Sequence, residues 1–203
     1  MGTKIYQSFE YEKIVSDLLD GQVVAFPTDT VYGLAIVYDN KDAFDKLYQI
    51  KNRSITKPIS MMVASSDIIH KVAFVDQKSQ KVIDKLLPGA LTIILNAKDN
   101  LPTHVTFNDP TVGIRIPNHQ TTLNILNKVN KPLLVKSANI SNSSDLIKAE
   151  DGFKQFNGQI TSLINEDATN GVASTVVNLT TSPIKVLRKG PIEEETILKI
   201  MEE

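Results

Sequence analysis

Short apolar runs that end in polar turns alternate with amphipathic stretches along this chain, and that alternation limits the possible folds more than any other feature. Tyr11 to Leu19 carries Ile14, Val15, Leu18 and Leu19 on one side and predicts a helix, followed by a strand over Gln22 to Phe26. The same periodicity predicts helices over Asp42 to Ile50, Asp67 to Ala73 and Gln77 to Leu87, the last stopped by Pro88-Gly89. Further helices are expected over Thr121 to Val129, Ala149 to Phe156 and Glu193 to Met201. Strands are expected over Ile59 to Ala64, Leu91 to Asn96, Val112 to Ile116, Leu133 to Ser137, Thr175 to Leu179 and Ile184 to Arg188. This mixture predicts one α/β domain over residues 1–203, with a twisted mixed sheet and flanking helices. No internal repeat, low-complexity tract or linker interrupts it.

Strand ends are where the chemistry collects. The first apolar run passes into Phe26-Pro27-Thr28-Asp29-Thr30-Val31-Tyr32-Gly33, a hydroxyl-rich turn in which Gly33 is read as the closing residue. In open α/β sheets the strand ends are where ligands bind. In Val112-Gly113-Ile114-Arg115-Ile116, strand alternation sends Arg115 and Gly113 to the face opposite the apolar triplet. A guanidinium there, beside a glycine that clears space, can fork onto a carboxylate or phosphate, or face solvent. Leu133 to Ser137 runs into a small polar turn in which Ser137 and Asn139 share a direction. Ser174 precedes another strand, and Arg188 ends one. Any of these groups could be a turn former or plain surface; together they suggest one polar cavity for a phosphate-bearing ligand. Lys51, Arg53 and Lys57 follow the second helix. Charge at a helix C-terminus accounts for Lys51 but less well for the other two, so the cluster is a candidate phosphate site.

Composition and missing motifs narrow the chemistry. The 203 residues carry 22 basic and 23 acidic side chains, a net charge of -1, so bulk charge does not point to nucleic acid. With no cysteine there is no disulfide, thiolate metal site or cysteine nucleophile, which suits a cytoplasmic protein. No apolar run approaches the roughly 18 residues of a membrane span, and the N-terminus lacks a signal pattern. The GxxxxGK[ST], GxGxxG, HExxH and GxSxG patterns are all absent. The three histidines, His70, His104 and His119, lie far apart and read as surface or loop residues, so no metal site is expected.

Taken in order, the segments FPTDTVYGLA, KNRSITKPISMMV, LPGALTIIL, VGIRIPNH, SANIS, GVASTVVNL and VLRKGPI resemble the YrdC/Sua5 family of L-threonylcarbamoyladenylate synthases. They run from Phe26 to Ile192, and the chain resembles the short single-domain form. The resemblance implies a YrdC-like fold: a twisted sheet around a large, positively lined cavity. It also implies an enzyme joining L-threonine, bicarbonate and ATP into threonylcarbamoyl-AMP and pyrophosphate, with Mg2+ carried by ATP as substrate and no protein nucleophile. A separate tRNA threonylcarbamoyltransferase complex would then modify adenosine 37 of tRNA, giving t6A. By motif position, Thr30, Arg115, Ser137 and Ser174 would hold threonine, with Arg115 on its carboxylate. Lys51, Arg53, Lys57, Thr111, Asn139 and Arg188 would hold ATP. The chain departs from the family pattern at Ser54, at Met61-Met62, at Ala173 and after Ser141. The alternative is a non-catalytic YrdC-like paralogue that binds nucleotide or RNA; the isolated enzyme is expected to bind tRNA only weakly.

Overall fold

The computed structural model describes residues 2–50, 59–139 and 146–203. In chain order the strands are β1 (Lys4–Tyr6), β2 (Val24–Phe26), β3 (Gly33–Val37), β4 (Ser60–Met62), β5 (Ala73–Phe74), β6 (Leu91–Ala97), β7 (Thr111–Arg115), β8 (Leu133–Ser137), β9 (Ser162–Ile164), β10 (Thr175–Asn178) and β11 (Lys185–Arg188). The helices are α1 (Tyr11–Leu19), α2 (Lys41–Ile50), α3 (Ser66–Val72), α4 (Gln77–Leu86), α5 (Thr103–Thr106), α6 (Gln120–Val129), α7 (Ala149–Phe156) and α8 (Glu194–Glu202).

All these strands join one sheet, in the order β1-β9-β2-β3-β8-β4-β7-β6-β10-β11, with β5 also paired to β6. Pairing is mixed: β4 runs parallel to β7 and β10 to β6, whereas β3 is antiparallel to both β2 and β8. Side-chain alternation then divides the core. Leu34 and Ile36 of β3, Met61 of β4, Ile93 of β6, Ile114 of β7 and Leu134 of β8 share one apolar cluster with α2, α4 and α8. Phe26, Ala35, Val37, Met62, Leu133 and Val135 share the other with α1 and α6. Of the four residues the sequence places on one side of α1, Ile14, Val15 and Leu18 are buried in that second cluster, whereas Leu19 at the helix end is exposed.

The strand β3 overturns the reading of Gly33 as the end of a turn, because Gly33 opens a strand that pairs Ser137. All five residues of β3 are buried, so the run has no apolar–polar alternation to announce it. A Cβ at Gly33 would lie 2.6 Å from Val135 Cγ1, so any larger residue there would force the Val135 side chain to shift. No helix among the described residues is long and apolar enough to cross a membrane.

Candidate functional site

The sheet face that carries Met62 and Val135 continues to Thr92 and Arg115, and there it borders a cavity of about 280 Å³. Strand ends surround it as the sequence suggests: Thr28 and Thr30 after β2, Arg115 ending β7, Ser137 ending β8, Ser174 before β10 and Arg188 ending β11. Ligand-sized space bordered by hydroxyls and guanidinium groups is what recognition of an anionic polar molecule needs.

Arg115 anchors this cavity and is only 3% exposed. Its Nε donates to Gly89 O (3.0 Å), its Nη1 to Thr30 Oγ1 (2.8 Å) and its Nη2 to Asp29 Oδ1 (2.5 Å). Burial lowers the guanidinium pKa, the Asp29 carboxylate opposes that shift, and Arg188 adds to it by repulsion. A guanidinium offers five N–H donors, so the contacts just named leave two for a ligand. The solvent-facing alternative for Arg115 is excluded by its burial. Gly113 does not clear space for it: a Cβ there would make ordinary contact, 3.5 Å from Thr92 Cγ2.

On the opposite wall Arg188 clamps Ser174. Its Nε donates to Ser174 O (2.9 Å) and its Nη2 to Ser174 Oγ (3.0 Å), while Ser174 Oγ shares a 2.8 Å hydrogen bond with Thr92 Oγ1. Ser137 Oγ donates to Asn139 Oδ1 (2.9 Å), so these two side chains not only share a direction but meet. Lys136 also lines the cavity, and its ammonium lies 4.6 Å from the Tyr48 ring centroid.

The structure therefore brings Thr30, Arg115, Ser137, Ser174 and Arg188 around one space, with Asn139 attached through Ser137. It does not bring Thr111 there. Thr111 starts β7, four residues before Arg115, about 13 Å away along the strand at roughly 3.3 Å per residue. Its hydroxyl donates instead to Asp109 Oδ1 at 2.5 Å. Lys51, Arg53 and Lys57 lie outside the described residues. Among the departures from the family pattern, Met62 and Ala173 both line the cavity.

Thr92 is passed over at the level of the sequence, and the partners of Thr28 and Asp29 within the polar turn are not given there. Asp29 is the counter-charge of Arg115, Thr92 supports Ser174, and Thr28 supports Thr30. Thr92 had a signal, being polar within the apolar run Leu91 to Leu95. The backbone carbonyls of Thr28, Asp29 and Thr30 are held from residues 169–171, by Thr169 N (3.2 Å), Asn170 Nδ2 (3.0 Å) and Gly171 N (2.7 Å). Beside this turn His119, expected at the surface or in a loop, lies in the loop before α6 with a side chain only 9% exposed and Nε2 3.8 Å from Glu166 Oε1. Burial pushes its pKa down, against the pull of Glu166 and then Asp29. Among the described residues, no three His, Asp or Glu side chains come together as a metal site.

Comparison with known proteins places this architecture. The chain is 31% identical over 186 residues to a threonylcarbamoyl-AMP synthase of Pyrococcus abyssi, covering 91% of this chain and 55% of that protein. It is 33% identical over 196 residues to a putative threonylcarbamoyl-AMP synthase of Methanocaldococcus jannaschii, covering 93% and 92%. A crystal structure of P. abyssi Sua5 complexed with L-threonine superimposes with a TM-score of 0.91 at 28% identity, over 98% of this chain and 59% of that one. The chain thus spans a little over half the length of the Pyrococcus relative. The model of the Sua5/YciO/YrdC family, described as telomere recombination, matches residues 16–190, and the chain belongs to that family.

Proposed function

We propose that this protein is an L-threonylcarbamoyladenylate synthase, a nucleotidyltransferase making threonylcarbamoyl-AMP and pyrophosphate from L-threonine, bicarbonate and ATP. The observation that carries this reading is the convergence of Arg115, Thr30, Ser137, Ser174 and Arg188 on one cavity, in a chain whose relatives bear that name. The P. abyssi protein that superimposes on it was crystallised with L-threonine.

The chemistry asks for positioning more than for a nucleophilic side chain. Threonine's amine attacks the carbon of bicarbonate, water leaves, and a carbamate oxygen then attacks the α-phosphorus of ATP with departure of pyrophosphate. Arg115 and the hydroxyls of Thr30, Ser137 and Ser174 orient the amino acid. Arg188 and Asn139, with Lys51, Arg53 and Lys57, carry the nucleotide charge. Thr111, on the same face of β7 as Arg115 and bonded to Asp109, would meet the nucleotide beyond this cavity. Magnesium would enter with ATP, held largely by the nucleotide itself, and would offset phosphate charge there. The product is the substrate of a transferase complex acting on tRNA.

Titration calorimetry with L-threonine and with Mg-ATP tests the reading. Binding of both ligands at one site each supports it. A protein that takes the nucleotide but no amino acid, and that binds RNA tightly at high salt, would instead be the non-catalytic paralogue.

A further inference from the structure

Hydrogen-bond bookkeeping around Thr28 fixes the polarity of one cavity wall. Thr28 Oγ1 lies 2.7 Å from Val31 O. A carbonyl only accepts, so the single Thr28 hydroxyl proton is spent there. Thr28 Oγ1 lies 3.0 Å from Thr30 Oγ1 and 3.1 Å from Thr30 N. With its proton already used, Thr28 must accept in both contacts, and the Thr30 hydroxyl must be the donor in the first. Arg115 Nη1 meanwhile donates to Thr30 Oγ1 at 2.8 Å. Protons therefore run one way, from Arg115 to Thr30 to Thr28 to the Val31 carbonyl. Thr30 is left with one lone pair and no proton to offer. Both threonines are 1% exposed and border the cavity, so water does not scramble this order.

We propose that Thr28 is a positioning residue for substrate recognition: it locks Thr30 as a pure acceptor, so this wall selects a ligand N–H or O–H donor and turns away a carboxylate or phosphate oxygen. This rests on the reading that the cavity takes an amino acid, whose amine and side-chain hydroxyl both supply such a donor. It divides the labour inside the site, with the guanidinium of Arg115 facing the anionic end and Thr30 facing the donor end. The carbonyls of Thr28, Asp29 and Thr30 are held separately from residues 169–171, so loss of the Thr28 hydroxyl frees the Thr30 side chain and removes the bonds to Thr30 N and Val31 O but leaves those three ties in place.

Thr28→Val and Thr28→Ser separate this role from packing. The serine keeps the hydroxyl and the valine keeps the shape. In the folded proteins, Thr28→Val should weaken L-threonine binding about tenfold while Mg-ATP affinity stays within about twofold, and Thr28→Ser should stay within about twofold for both. L-valine as a competing ligand identifies the donor. If Thr30 reads the amine, Thr28→Val weakens valine and threonine alike; if it reads the hydroxyl, only threonine suffers, and either pattern supports the proposal. A folded Thr28→Val protein with unchanged threonine affinity overturns it, and so does equal damage from serine and valine. Proton NMR gives an arm independent of substrate: a slowly exchanging Thr30 hydroxyl proton, present in wild type and Thr28→Ser and lost in Thr28→Val. If that signal is seen but wild type binds no threonine, the relay stands and the amino-acid reading fails. If the signal is absent from wild type, the relay itself fails.

Discussion

Arg115 Nη2 and Asp29 Oδ1 lie 2.5 Å apart, with both side chains nearly excluded from water. The pair ties the end of β7 to the turn after β2, two segments that bring cation and hydroxyl to the same cavity. Removing one partner leaves the other charge buried and uncompensated, which typically costs about 3–5 kcal/mol. Asp29→Ala should therefore destabilise the protein by roughly that amount, measured by urea unfolding. Combining it with Arg115→Met should recover part of the loss, because the stranded charge is gone. A fully additive double variant would contradict a direct pairing.

Arg115→Lys retains the positive charge opposite Asp29 but cannot reach Gly89 O, Thr30 Oγ1 and Asp29 with one planar fork. The threonine requirement should rise while nucleotide affinity stays close to that of wild type. Steady-state kinetics with threonine and ATP varied separately distinguish this from general loss of the site. An unchanged threonine requirement would remove Arg115 from the amino-acid end.

Gly190 packs against the segment that presents Ser174. A Cβ at this position would lie 2.4 Å from Thr175 N, 2.5 Å from Ala173 O and 2.6 Å from Ser174 C, all backbone atoms that cannot swing aside. Gly190→Ala should cost about 1–3 kcal/mol or more by overpacking. It should also impair activity beyond the stability loss, by displacing Ser174 from Arg188. Thermal melts and activity measured well below the melting point check the two effects separately.

His119 gives the stability a pH signature. Burial is the largest influence on it and lowers its pKa, so the folded state favours the neutral ring. As pH falls below the ordinary histidine value of about 6.5, the unfolded chain takes up a proton that the folded chain resists, and stability is lost. The loss continues until the depressed folded-state pKa is passed. Urea midpoints measured from pH 8 downwards should fall through this window for wild type, and His119→Asn should flatten the slope. An unaltered slope in the variant would place the proton uptake elsewhere.

Much of the fold is legible in the sequence where one periodicity dominates. α1, α7 and β8 fall on the expected residues because each has an unbroken apolar stripe or run and a clear stop. β1 and β9 are not legible, being three residues each and defined by pairing Lys4 with Ser162 across the length of the chain. β3 is hidden by its burial on both faces, and it begins at a glycine that reads as a turn residue. In the site, the polar strand ends are readable one by one, yet their partners are not. Nothing local tells that Asp29 meets Arg115, or that Arg188 holds Ser174, since register between distant strands decides both. Thr111 illustrates the converse: it shares a strand with Arg115, but strand rise carries it away from the cavity.

The nucleotide end of the site rests on the cations after α2. If Arg53 makes a charge-assisted contact with a phosphate, Arg53→Ala should weaken ATP binding by about 1.5–3 kcal/mol. Calorimetry on the folded variant checks this, and unchanged ATP affinity would take Arg53 out of the site.

The most direct test of the central claim is to incubate the protein with ATP, magnesium, bicarbonate and labelled L-threonine and to separate the nucleotide products. The account predicts labelled threonylcarbamoyl-AMP with an equal amount of pyrophosphate, dependent on bicarbonate and strongly reduced when valine replaces threonine. Nucleotide bound but no labelled adenylate formed, or equal turnover of valine and threonine, would contradict it.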